Sequence, residues 1–424
     1  MQHRRTIPAS LVAAVPAAVV FDAVLRMHLA SIPITLSTGL LLLAAFGSLL
    51  RFLLRSDGLQ PVREMPRLLW FVAGAFFMVF LAEFFKATVS HPSGSEVVQA
   101  GARLLLVLVA AFAYVEDERM LPRAVRWLSG ALAVNGAVAF AYSVSIFPAA
   151  SSRLHPLIGN AIPINASAGF LRDNGLLGIL TSSVVPFLLM ACLGSIKVFR
   201  SRLTAALLAI PVLLGLLLSG SRSSYLAIAL SVCVVSVGRL FRNLRPRLAG
   251  LQLTFSLTAI VVVALAASGP ILQLGESLIG ANRFSIRHRL LQYEHAIALV
   301  LEHPWVGSGH RAFADSFVYP DYGFELGDGA AMLHNYFLNS AVSLGIPVAA
   351  LELLVLVVTA LAGFLSLPSR ERDGYWWALG LLAALLGIVV ELSLYVGGSG
   401  LKPLWLLIVW SISLARRRCG QCAR

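Results

Sequence analysis

Apolar runs as long as a bilayer is thick recur from one end of the chain to the other, and no other feature narrows its fold as far. A helix needs about 20 mostly apolar residues to cross the hydrocarbon core. Windows of that size pick out twelve segments: Ile7–Leu25, Ile34–Leu54, Leu68–Phe85, Val97–Val115, Ala124–Phe147, Asn174–Leu193, Leu203–Leu218, Ser224–Val237, Leu248–Ser268, His334–Leu365, Trp376–Val396 and Leu401–Leu414. Only 12% of the 424 residues are charged and 58% are hydrophobic, against about 25% and about 45–50% in soluble domains. A chain so poor in polar groups excludes a soluble enzyme, a disordered protein and a nucleic-acid-binding factor. The expected fold is an all-α integral membrane protein with about 12 transmembrane helices, residues 1–424 forming one polytopic domain. The first run has no small-residue cleavage site and is expected to stay as a span.

The net charge of +13 then becomes a statement about orientation, because cytoplasmic loops collect lysine and arginine. With both termini inside, every inner segment is short and basic. Twenty-two of the 33 lysines and arginines fall on that side. Two sizeable segments are left on the outer face, Pro148 to Asp173 and Gly269 to Leu333. Long loops carry function more often than short ones, and these two hold Arg153, Arg172, Arg283, Arg287, Arg289 and Arg311. Topology does not explain outer arginines; an anionic ligand does.

The longer loop contains a mostly apolar stretch from Ser285, a plausible N-cap, to Pro304, which must end a helix. It is too charged to span and is expected to lie at the interface. Arg289 and Tyr293, four apart, share one face of it. The competing reading is a helix whose cations touch lipid phosphates. Arg222 stands in Ser219-Gly220-Ser221-Arg222-Ser223-Ser224 between spans of about 16 and 14 residues by this count, short enough to recess the turn below the outer surface. An arginine there is costly unless paired, or else it snorkels to headgroups. His334 follows Gly327 and Gly329 and opens the tenth span. The positive end of a helix dipole disfavours imidazolium, and a neutral imidazole can accept a proton; a polar anchor is the plainer alternative. No histidine pair has metal-ligand spacing, and the chain has no Walker A loop, Gly-x-Ser-x-Gly or dinucleotide fingerprint. Neither a metal nor a cofactor is expected, so arginines would have to neutralise any anionic leaving group. Cys192 and Cys233 lie in apolar runs and are expected to pack; Cys419 and Cys422 form a lone CxxC in the basic tail.

Several of these stretches resemble one known family. Ser219-Gly220-Ser221-Arg222 after a hydrophobic helix resembles the S-x-R turn of the O-antigen ligase and polymerase superfamily. Arg289-x3-Tyr293, then Pro304 and Gly307-Ser308-Gly309, resembles its R-x3-W and hP-x-x-G-x-G stretch, with tyrosine where tryptophan is commoner. His334-Asn335-Tyr336-Phe337-Leu338 with Gly345 resembles its HN-x-x-L … G segment, and Gly169-Phe170-Leu171-Arg172-Asp173-Asn174-Gly175 the segment before its middle spans. The resemblance runs from about residue 169 to 350.

The resemblance implies a multi-pass glycosyltransferase of the bacterial inner membrane, with its active site on the periplasmic side and part of that site on loop 269–333. Its donor would be a glycan on undecaprenyl diphosphate and its acceptor the lipid A–core oligosaccharide. Arg222 and Arg289 would grip the diphosphate, with Arg172 as a helper, and His334 would deprotonate the acceptor hydroxyl, inverting the anomeric centre without a metal. An O-antigen polymerase typically has two comparable outer loops, and one dominates here. A protein O-oligosaccharyltransferase is usually longer at its C-terminus. A twelve-span secondary transporter stands outside the class; its site would lie at the midplane in related halves. Arg103, Glu352 and Glu391 are the charges within spans to consider for it, and no half-to-half symmetry is visible.

Overall fold

The computed structural model describes residues 26–29, 32–36, 120–143, 174–219, 221–241, 283–309, 312–317, 333–365 and 372–394, with scattered positions between 14 and 85. In chain order these form β1 (Arg26–Leu29), β2 (Ile32–Thr35), α1 (Met120–Ser143), α2 (Asn174–Cys192), α3 (Arg202–Ser219), α4 (Arg222–Phe241), α5 (Arg283–Glu302), α6 (Ala312–Ser316), α7 (Tyr336–Leu344), α8 (Ile346–Leu365) and α9 (Arg372–Leu394). β1 and β2 pair as a short antiparallel hairpin. All other regular structure among the described residues is helical.

Leu121–Ala141, Arg202–Ser219 and Tyr375–Leu394 are long and apolar enough to cross a membrane, and α2, α4 and α8 carry shorter apolar stretches. The described architecture is consistent with a helical membrane protein. The expected spans at Ala124–Phe147, Asn174–Leu193, Leu203–Leu218, Ser224–Val237 and Trp376–Val396 correspond to α1, α2, α3, α4 and α9. Those at 97–115, 248–268 and 401–414 lie outside the described residues, as do most of the first three and both termini.

α2 is the central element. Ile179, Leu180, Phe187, Leu188 and Met190 are fully buried on it, and α1, α3, α4 and α9 pack around it. Small residues set the closest approaches, as expected where backbones rather than large side chains must meet. A Cβ on Gly136 of α1 would strike the Pro211 carbonyl of α3, and one on Gly380 of α9 would strike Phe187 and Met190. The Phe187 ring also packs on Trp377, with centroids 5.5 Å apart. A second, smaller core of Ala296, Val300, Phe313, Leu333, Ala341 and Val342 joins α5, α6 and α7.

Three expectations are corrected. The run from His334 to Leu365 is not one helix. It breaks at Gly345 (φ 92°, ψ 163°) into α7 and α8, because that backbone conformation is essentially confined to glycine and Pro347 then restricts the chain to a new first turn. The helices flanking the Arg222 turn are 18 and 20 residues long, or about 27 and 30 Å, rather than about 16 and 14 residues; polar Ser223 and Gly238–Leu240 are absorbed into α4. Finally, α5 begins at Arg283, which puts Ser285 inside its first turn rather than at the cap.

Candidate functional site

The site is built where α5 lies against the segment running into α7. The two run side by side in the same direction. At one end Gln292 and Tyr293 meet His334; at the other the Ile346 amide donates to the Pro304 carbonyl at 2.8 Å. The Pro304–Gly309 turn makes this docking rigid. Ser308 N–H donates to Val342 O at 2.7 Å and Gly309 N–H to Ser343 O at 3.3 Å. Gly307 has φ 66°, and a Cβ there would lie 2.5 Å from the Ser343 carbonyl carbon and 2.6 Å from Gly345 N. The two glycines therefore belong to a backbone-on-backbone contact that holds α5 in register with α7.

His334 occupies the bend just before α7. Leu333 ahead of it is buried, and Asn335 after it is the N-cap, its side-chain oxygen accepting from Leu338 N–H at 2.9 Å. An asparagine cap of this kind satisfies one of the orphan amides of the first turn and stops the helix short of His334. The histidine is thus anchored on both sides by structure and half-buried itself.

α5 supplies the partners. Arg289, Gln292 and Tyr293 fall at i, i+3 and i+4 and share a face. Tyr293 Oη donates to the His334 carbonyl at 2.9 Å, and Gln292 Oε1 lies 3.2 Å from His334 Nδ1. Burial raises the Tyr293 phenol above its ordinary range, and the charge of Arg289 opposes that rise in part. The guanidinium therefore acts on the phenol that holds His334. Arg289 thus stands one turn of α5 from the Gln292 and Tyr293 side chains that meet His334.

Gln292 was not foreseen. It is 0% exposed and stands in the same stripe as Ala296 and Val300. A polar residue in an otherwise apolar helical stripe is the signal that was there to be read, since a buried amide needs partners.

The Arg222 turn is a separate corner. Arg222 is the first residue of α4, and its side chain lies outside the described residues. Ser219 Oγ donates to Leu216 O at 2.6 Å and accepts from Ser221 N–H at 3.2 Å, while Ser224 Oγ donates to Ser221 Oγ at 2.7 Å. The serines thus serve the backbone of the turn. A Cβ on Gly178 of α2 would overlap both Ser224 Oγ and Glu391 Oε1 of α9, so the fully buried Glu391 sits beside the first turn of the Arg222 helix. α4 and α7 both pack on α9, which makes that helix the common support of the two corners. Arg172, Arg311 and Gly327–Gly329 lie outside the described residues, and of the Arg283 and Arg287 side chains nothing is described. Among the described residues no three His, Cys, Asp or Glu side chains gather as a metal-ligand set.

Residues 204–353 match a family model described as O-Antigen ligase. No curated protein matches the chain. The matched stretch runs from α3 into α8, contains Arg222, Arg289 and His334, and supports a place in the O-antigen ligase and polymerase superfamily without separating ligase from polymerase.

Proposed function

We propose that the chain is an O-antigen ligase-type glycosyltransferase of the bacterial inner membrane. It moves a glycan from undecaprenyl diphosphate to the lipid A–core oligosaccharide on the periplasmic side, without a metal. The observation that carries this reading is that Tyr293 and Gln292 bond His334 from the turn of α5 that also bears Arg289. A cation for a leaving diphosphate thereby stands one helical turn from the residues that hold an imidazole for the attacking hydroxyl. His334 takes the proton of the acceptor hydroxyl as that oxygen attacks the anomeric carbon. The carbon–oxygen bond to the diphosphate breaks on the opposite face, inverting the centre. Arg289, Arg222 and Arg172 receive the departing charge, and planar guanidinium forks suit phosphate oxygens better than ammonium groups do.

α5 belongs at the outer interface in this reading. Its outward stripe of Leu290, Ile297 and Leu301 leads to Trp305, 78% exposed, next to the start of apolar α8. Tryptophan at the headgroup level is the usual interfacial anchor. The test is transfer by the purified chain from a lipid-diphosphate glycan, offered a core-bearing lipid A and a carrier-linked glycan together. Product on the lipid A core supports the ligase; elongation of the carrier-linked chain assigns it to the polymerases; product on neither overturns a transferase.

A further inference from the structure

We propose that Gln292 is a positioning residue that fixes His334 in the tautomer with its proton on Nδ1, so that Nε2 is the nitrogen that accepts the proton. The inference rests on His334 being the base. An amide oxygen can only accept a hydrogen bond. With Gln292 Oε1 3.2 Å from Nδ1, the bond exists only if Nδ1 carries the hydrogen, and in a neutral imidazole the lone pair is then on Nε2. Gln292 is 0% exposed, so its amide is held by packing and water cannot readily take its place. Tyr293, the next residue, holds the His334 carbonyl at 2.9 Å. One turn of α5 therefore grips both backbone and ring.

The choice of an amide has a chemical consequence. A carboxylate at the same place would orient the ring equally well, but it would also stabilise imidazolium and keep the base protonated near neutral pH. An uncharged acceptor orients the ring without that effect. The other titratable or charged groups on the surrounding elements are Arg283, Arg287, His288, Arg289, Tyr293, Glu294, His295 and Glu302 on α5, Asp315 on α6, Tyr336 on α7, Glu352 on α8 and Arg372, Asp373, Tyr375 and Glu391 on α9. Glu294 and Asp315 are exposed, His295 bonds Ser316, and Tyr336 donates to Glu352. All are unchanged by substitution at 292, so a difference between variants reports that position.

The experiment compares wild type, Gln292→Met, Gln292→Glu and His334→Ala in glycan transfer across pH. Gln292→Met should lower kcat about 10- to 100-fold, a part of what a general base contributes, with the donor KM within about twofold. Gln292→Glu should recover much of the rate with the acid limb of the pH profile moved up by about one unit. A Met variant with wild-type kcat, or a Glu variant with an unmoved acid limb, overturns the proposal. If His334→Ala retains transfer, the base assignment itself fails; if it is inactive while both 292 variants match wild type, only the role of Gln292 falls. A second readout needs no variant of 292: ring 15N signals of His334, assigned by their loss in His334→Gln, should show Nδ1 protonated and Nε2 bare in the neutral form. Protonated Nε2 would overturn the inference.

Discussion

A phenol and a guanidinium sit one helical turn apart on α5, and the phenol donates to the His334 carbonyl. Tyr293→Phe removes only the bond to the His334 carbonyl, a loss of about 1 kcal/mol in stability, and should slow transfer several-fold because the ring loses its fixed base. Thermal unfolding in detergent beside a transfer assay checks both parts. Arg289→Ala should raise the donor KM and lower kcat. Arg289→Lys should restore only part of the loss, since a point charge cannot reproduce the two-pronged contact of a guanidinium with phosphate; steady-state kinetics against donor concentration read this directly. Arg289 and His334 were legible in the sequence because a charge and a titratable ring stand out in an apolar chain. Gln292 was not, because an uncharged side chain gives no such contrast and its burial becomes visible only once α5 is docked. Arg222 was legible as a residue, but the approach of Glu391 to Ser224 in the first turn of its helix comes from a helix some 170 residues further on, which local sequence cannot specify.

The elements were legible to the extent that length and hydropathy decide them. α1, α2, α3, α4 and α9 coincide with apolar runs because such runs form helices whatever they pack against. The break between α7 and α8 was missed because hydropathy is continuous across it. The signal lay in Gly345 followed by Pro347, a helix stop and a first-turn residue in the expected order. Gly345 is forced twice over, by φ 92° and by the Trp305 carbonyl, which a Cβ would overlap. Gly345→Ala should therefore cost about 1–3 kcal/mol from the backbone conformation alone and unseat the Pro304–Gly309 turn. The expected result is a lowered Tm together with loss of transfer, with α5 no longer in register with His334.

At the scale of the whole molecule the charges divide into two uses. Most lie on inner loops by the positive-inside count, and α4 illustrates the division within one helix. Arg222 begins it and Arg239 lies in its last turn, about 25 Å apart along the axis, at the ends proposed to face the periplasm and the cytoplasm. The remaining outer arginines are the ones available for an anionic substrate. If they alone neutralise the leaving diphosphate, transfer should be unchanged by EDTA. Loss with chelator and recovery on adding a divalent cation would show that a metal carries that charge instead. The described helices are consistent with a helical membrane protein, and the proposed functional corner lies at the junction of α5 and α7. Nothing in hydropathy could foretell that junction, because its two sides are separated by about 40 residues and joined by backbone and side-chain hydrogen bonds.

The central claim is that this corner takes a proton from an acceptor hydroxyl while a cation holds the leaving group. It is tested most directly by single-turnover transfer in the His334→Ala protein, folded and inserted as wild type and saturated with lipid-diphosphate donor. Donor binding should persist while glycan transfer to the lipid A–core acceptor falls by at least about a hundredfold. Transfer at the wild-type rate in that variant would contradict the account.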